Sequence, residues 1–169
     1  MGMTDAFVQE IDQEGATTRR VLERVPADRL AWKPHPKSMS LGKLALHIAG
    51  APGQIASWAM KDVMEFAGEP QEPEVKSTAE ILAVHDESLT KAKDVLRQLG
   101  DGGLQNQWQA KAGGATLFAM PKVALFRSMV LNHWIHHRGQ LSVYLRLLDV
   151  PVPSIYGPSA DENPFAPRT

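Results

Sequence analysis

Among the six histidines of the 169-residue chain, three occur as His133, His136 and His137 in the run Asn132-His133-Trp134-Ile135-His136-His137-Arg138-Gly139-Gln140. Imidazole binds divalent transition metals and moves protons near neutral pH, so its placement is the first question. The run has helical spacing. With His133 as the origin of a helical wheel, His137 lies at about +40° and His136 at about -60°. Phe126, Val130, Leu141, Tyr144 and Leu148 fall between about +20° and +80°. On this arithmetic His137 sits near the centre of an inward apolar stripe, His133 lies beside it, His136 is at the margin, and Arg138 and Arg146 lie well away. Side chains four apart share a helical face, so His133 and His137 can bind one ion.

Two imidazoles do not close a site. His47 is the natural third, because it interrupts an apolar stripe shared with Leu44, Ala51 and Trp58. A lone histidine there is more often a core residue hydrogen-bonded to a neighbour. Three inward imidazoles without an ion would need several partners in an apolar core, at about 1–3 kcal/mol for each unsatisfied group. Three histidine ligands leave a tetrahedral ion one open position, the arrangement of a catalytic rather than a structural site. Zn, Ni, Fe and Co all accept neutral imidazole, with Zn, Ni or Fe expected. His136, Gln140, Tyr144 and Trp58 are candidates to orient a ligand or line the pocket. His35, between prolines, and His85, beside Asp86 and Glu87, read as surface histidines. No Ser-His-Asp set, carboxylate pair or inward Asp or Glu suited to act as a general base competes with this centre.

Four stretches of helical periodicity position these residues. The first runs from about Thr4 to Val25 with Thr4 or Asp5 as N-cap. The second begins after Ser40 and contains Pro52, which predicts a kink. The third follows Ser77 or Thr78 and ends at Gly100 or Gly102-Gly103. The last begins at Pro121 and continues to about Leu148. Between the third and fourth, Gly113-Gly114 predicts a short irregular hairpin. The segment GEPQEPEVKS is a polar, proline-rich connection, and the tail from about 150 is too proline-rich for regular structure. The reading is an all-α four-helix bundle in one domain, 1–169.

A net charge of -1 gives no reason to expect nucleic acid or an anionic membrane as partner. Arg, Lys, Gly or Pro interrupts every apolar run before it could span a bilayer. The start of the chain reads as a helix rather than a signal peptide, which makes a cytoplasmic location the expectation. The absence of cysteine removes disulfides, thiolate nucleophiles and cysteine metal sites together.

The run NHWIHHRGQLSVYLRLLDVPVPSIYGPSADE, residues 132–162, resembles the C-terminal signature of the DinB-like (DNA-damage-inducible) family of metal-dependent enzymes. SLGKLALHIAG resembles that family's first histidine segment, and KAGGATLFAMPK also matches, so the likeness covers nearly the whole chain. The resemblance implies an up-down-down-up bundle with a long crossover, as in bacillithiol-dependent transferases and mycothiol-dependent isomerases. It implies one divalent metal on His47, His133 and His137, a small-molecule substrate, a low-molecular-weight thiol as co-substrate, and a homodimer. A thiol-dependent S-transferase or a hydrolase is the leading expectation. The alternative is a non-catalytic stress-response protein that binds a metal or small ligand.

Overall fold

The structure, a computed structural model, describes residues 2–68 and 74–166. Its elements are α1 (Met3–Leu22), a short 3-10 turn (Ala27–Arg29), α2 (Leu41–Trp58), β1 (Val63–Glu65), α3 (Thr78–Leu104), β2 (Gln107–Ala112) and β3 (Ala115–Pro121). The last helix, α4 (122–147), has three consecutive parts: α-helical Lys122–Leu125, π-helical Phe126–Asn132 and α-helical His133–Leu147.

Residue pairs fix the helix directions. Asp101 reaches back to the start of α1 and Asp86 pairs Arg19, so α1 and α3 are antiparallel. Glu10 with Arg127 and Glu14 with Arg138 make α1 and α4 parallel. Gly50 faces Val84 and Gly53 faces Ser88, so α2 and α3 run the same way. Tyr144 against Met39 and Lys122 against Asp62 set α4 antiparallel to α2. The bundle is therefore up-down-down-up with a long crossover between α2 and α3. Its core draws on all four helices, including Phe7, Ile11, Leu44, Ile48, Ile81, Leu96, Phe126 and Leu141.

Capping follows local chemistry in two of the helices, α2 and α3. Ser40 Oγ accepts from Lys43 N, and Ser77 Oγ accepts from Glu80 N, each satisfying an orphan donor of the first turn. At α1 the cap is neither Thr4 nor Asp5. Gly2 holds the N-cap position, and the Asp101 carboxylate accepts from Met3 N and Thr4 N. A carboxylate from a distant helix end supplants the local side chain because it serves two orphan donors at once. Gly100, at φ 59°, breaks α3 before a last turn.

Pro52 does not split α2, which continues unbroken to Trp58. Proline removes one helical donor and crowds the preceding turn. Ser88 of α3 repairs the ladder there: Gly53 N donates to Ser88 Oγ at 2.8 Å, and Ser88 Oγ donates to Gly50 O at 3.0 Å. A Cβ on Gly53 would stand 2.7 Å from Ser88 O, so glycine is what admits α3 this closely.

The hairpin is irregular, as expected: its register shifts between Ala110, opposite Phe118, and Lys111, opposite Thr116. β2 and β3 pair antiparallel around Gly113 and Gly114, both at positive φ (56° and 79°), as a two-residue primed turn requires. β1 was not foreseen; it pairs parallel with β2, and three residues are too few to show a period. Residues 69–73, within the predicted polar connection, lie outside the described residues, as do 167–169. The described part of the tail has no helix or strand, as the prolines require.

The candidate metal centre

Ser40 starts α2 so that His47 falls nearly two turns in, on the side of the helix facing α4. The π-helical stretch Phe126–Asn132 ends immediately before His133, so the histidine pair opens a fresh α-helical segment. A π-turn shifts every later residue around the axis relative to an unbroken α-helix. That invalidates the uniform 100° step as applied to Phe126 and Val130. The observed interior face is Phe126, Val130, Leu131, Trp134, Arg138, Leu141 and Leu145, whereas Tyr144 and Leu148 are half-buried. His133 and His137 stand at the edge of that face, both half-buried, rather than at its centre.

His47, His133 and His137 come together there. Nε2 of His133 lies 3.0 Å from Nε2 of His137 and 3.4 Å from Nε2 of His47. One potential ligand atom from each lies within 4.8 Å of the other two. The rings are mutually near-perpendicular, at 84°, 86° and 87°. With metal–nitrogen bonds of about 2.1 Å, ligand atoms 3.0 and 3.4 Å apart subtend about 90 to 110°, the range of octahedral and tetrahedral ions.

Protonation fits the same role. His137 Nδ1 lies 2.7 Å from Gln140 Oε1. The amide oxygen only accepts, so Nδ1 carries the proton and Nε2 presents its lone pair. His133 is pushed down to about 4 by burial first and then by the neighbouring His137, His47 and His136. It is therefore neutral at pH 7, the form that ligates a metal. Its Nδ1 is buried without a partner among the described residues. Neither α2 nor α4 contains an Asp or Glu, so the two helices that bear the histidines offer an ion no carboxylate. The three imidazoles fit such an ion.

A sequence model of the DinB family matches residues 1–167. The chain belongs to the DinB family. It is 26% identical over 160 residues to the uncharacterized protein YrdA of Bacillus subtilis (strain 168), covering 94% of this chain and 90% of YrdA. A crystal structure of a DinB-like protein from Bacillus cereus ATCC 10987 superposes with a TM-score of 0.70 at 25% identity, covering 90% of this chain and 97% of that one. The B. subtilis DinB-like protein YjoA has a TM-score of 0.67 at 23% identity over 86% of this chain and 95% of its own, a likeness of fold.

The other candidates in this DinB-family chain separate. His136 is exposed, its ring 5.0 Å from that of His137, and it is not part of the three-histidine group. Tyr144 donates its hydroxyl to Met39 O and meets Trp32 edge-on. Trp58 packs edge-on to Phe66 and stacks on Trp108, whose indole N–H it accepts through its own carbonyl. His35 is exposed, as its loop suggests. His85 is the opposite of the surface residue expected: it is fully buried, Nε2 donating to Gly15 O at 3.1 Å, with its ring against Trp134. Burial lowers its pKa, outweighing the carbonyl hydrogen bond that raises it.

Arg138 is a second correction. Placed away from the interior by the wheel, it is 1% exposed and paired with Glu14 at 2.7 Å. Glu14 is the inward carboxylate the sequence reading passed over. The signal was present, since Phe7, Ile11, Glu14 and Thr18 follow the spacing of one helical face.

Proposed function

We propose that this protein is a metal-dependent enzyme acting on a small molecule, with one divalent transition metal on His47, His133 and His137. The reading rests on one observation: three imidazole nitrogens from two helices converge within 4.8 Å on a surface that carries no carboxylate from either helix. When bound, such an ion supplies an open position that lowers the pKa of a thiol or water and polarises a substrate oxygen or sulfur. His137 is oriented by Gln140, and α2 and α4 hold the three rings before any ligand arrives, so little reorganisation is required on binding. With neutral ligands, the ion's charge favours an anionic partner such as a thiolate. A thiol-dependent S-transfer is thus the favoured reaction, and hydrolysis is the second.

Elemental analysis of untagged protein, then a screen of Zn-, Ni- and Fe-loaded protein against low-molecular-weight thiols with alkylating or epoxide electrophiles, tests this reading. His137→Ala is the control. Metal-dependent turnover lost in that variant supports it. An ion with no exchangeable water and no turnover would instead indicate a storage or binding protein.

A further inference from the structure

The α-helical stretch His133–Leu147 could bury either of two faces. From His133 at 0°, Trp134, Leu141, Leu145 and Arg138 lie between about 80° and 140°, whereas Tyr144, His137, Leu148 and Leu141 lie between about 20° and 80°. The two faces share Leu141 and differ by a roll of about 60°. The second is the face the apolar pattern favours; the first, which buries an arginine, is the one observed.

What holds Arg138 inside is specific. Its Nη1 donates to Glu14 Oε2 at 2.7 Å, to Glu14 O at 3.2 Å and to Thr18 Oγ1 at 3.1 Å. Tyr156 donates its hydroxyl to Glu14 Oε2 at 2.8 Å and lays its ring 5.0 Å from the guanidinium carbon. Tyr156 is itself held by the tail. Asp161 accepts from Arg146 and from Val152 N, and Glu162 accepts from Arg20 and from Ser154 N. Nη2 of Arg138 has no partner among the described residues. An incompletely satisfied buried pair contributes little net stability, whereas fixing a register is the best-attested use of one.

We propose that the Glu14–Arg138 pair, covered by Tyr156, sets the rotation of α4 and so keeps His133 and His137 at the open edge facing α2. Glu14 and Tyr156 are positioning residues acting through Arg138. The metal readout below rests on the metal reading above; the cysteine readout does not.

The chain has no cysteine, so single reporters are clean. Leu145→Cys sits on the buried face and Leu148→Cys on the alternative one. In metal-free protein, Glu14→Leu strands the arginine; it should speed thiol labelling at 145 and slow it at 148, each by about tenfold. Adding Arg138→Met, an apolar side chain that keeps the buried face, should restore both rates. Cobalt(II) affinity, read by visible absorption, should fall about tenfold in Glu14→Leu and return in the double variant. If Glu14→Leu does not fold, Glu14→Gln carries the same readouts with changes of about threefold. Rates at 145 and 148 that rise together, or that stay at wild-type values in a folded variant, overturn the proposal. Wild-type protein that fails to bind cobalt(II) removes the metal reading and leaves the labelling result to decide the register.

Discussion

His137 and Gln140 are joined by a 2.7 Å hydrogen bond from Nδ1 to the side-chain oxygen, one helical turn apart on α4. That bond places the ring proton on the far side from His133 and His47. It ties the orientation of one imidazole to a neutral, exposed amide whose other face is open to solvent.

Gln140→Leu should therefore weaken zinc or cobalt binding by about 10- to 100-fold with little change in the unfolding midpoint of the metal-free protein. Competition titration with a chromophoric chelator measures the first quantity and urea unfolding the second. Unchanged affinity would mean the amide does not orient the ring.

His137→Ala should abolish metal loading, whereas His136→Ala should leave most of it, because His136 is exposed and is not part of the three-histidine group. Metal content of purified variants checks both. Equal losses would show that the wrong face of α4 has been assigned.

The metal-free protein should lose stability as the pH falls below about 6.5, the ordinary histidine value. Burial lowers the folded-state pKa of both His85 and His133, the latter to about 4. The unfolded chain then binds more protons than the folded one below pH 6.5, so acid favours unfolding. The stabilisation is full above that pH and declines as the pH drops toward the folded-state values. Urea midpoints between pH 7.5 and 4.5 should fall for wild type and less steeply for His85→Asn.

Ser88→Ala should cost about 1–2 kcal/mol, since it strips one donor and one acceptor contact from the break at Pro52. Gly53→Ala should cost more, because its Cβ would meet the Ser88 backbone at 2.7 and 2.9 Å, atoms that cannot swing aside. Urea unfolding at neutral pH compares the two; a smaller loss in Gly53→Ala would show that α2 and α3 can separate cheaply.

Much of this was legible in the chain itself. Ser40 and Ser77 announce helix starts because a hydroxyl cap needs only residues three apart. Gly113-Gly114 announces its turn because two consecutive positive φ angles suit glycine. The absence of cysteine, and of acidic residues from α2 and α4, already restricted any metal ligands there to imidazole. Each of these depends on local chemistry that a short window contains.

The tertiary structure decided which side of α4 is inside. Glu14 and Arg138 are separated by 124 positions, and neither could be buried alone, since an unpaired interior charge is too costly. The same holds for His85, whose partner is the Gly15 carbonyl, and for Pro52, whose break Ser88 repairs. A periodic pattern states which residues avoid water; whether a polar side chain may join them depends on a partner the fold must bring.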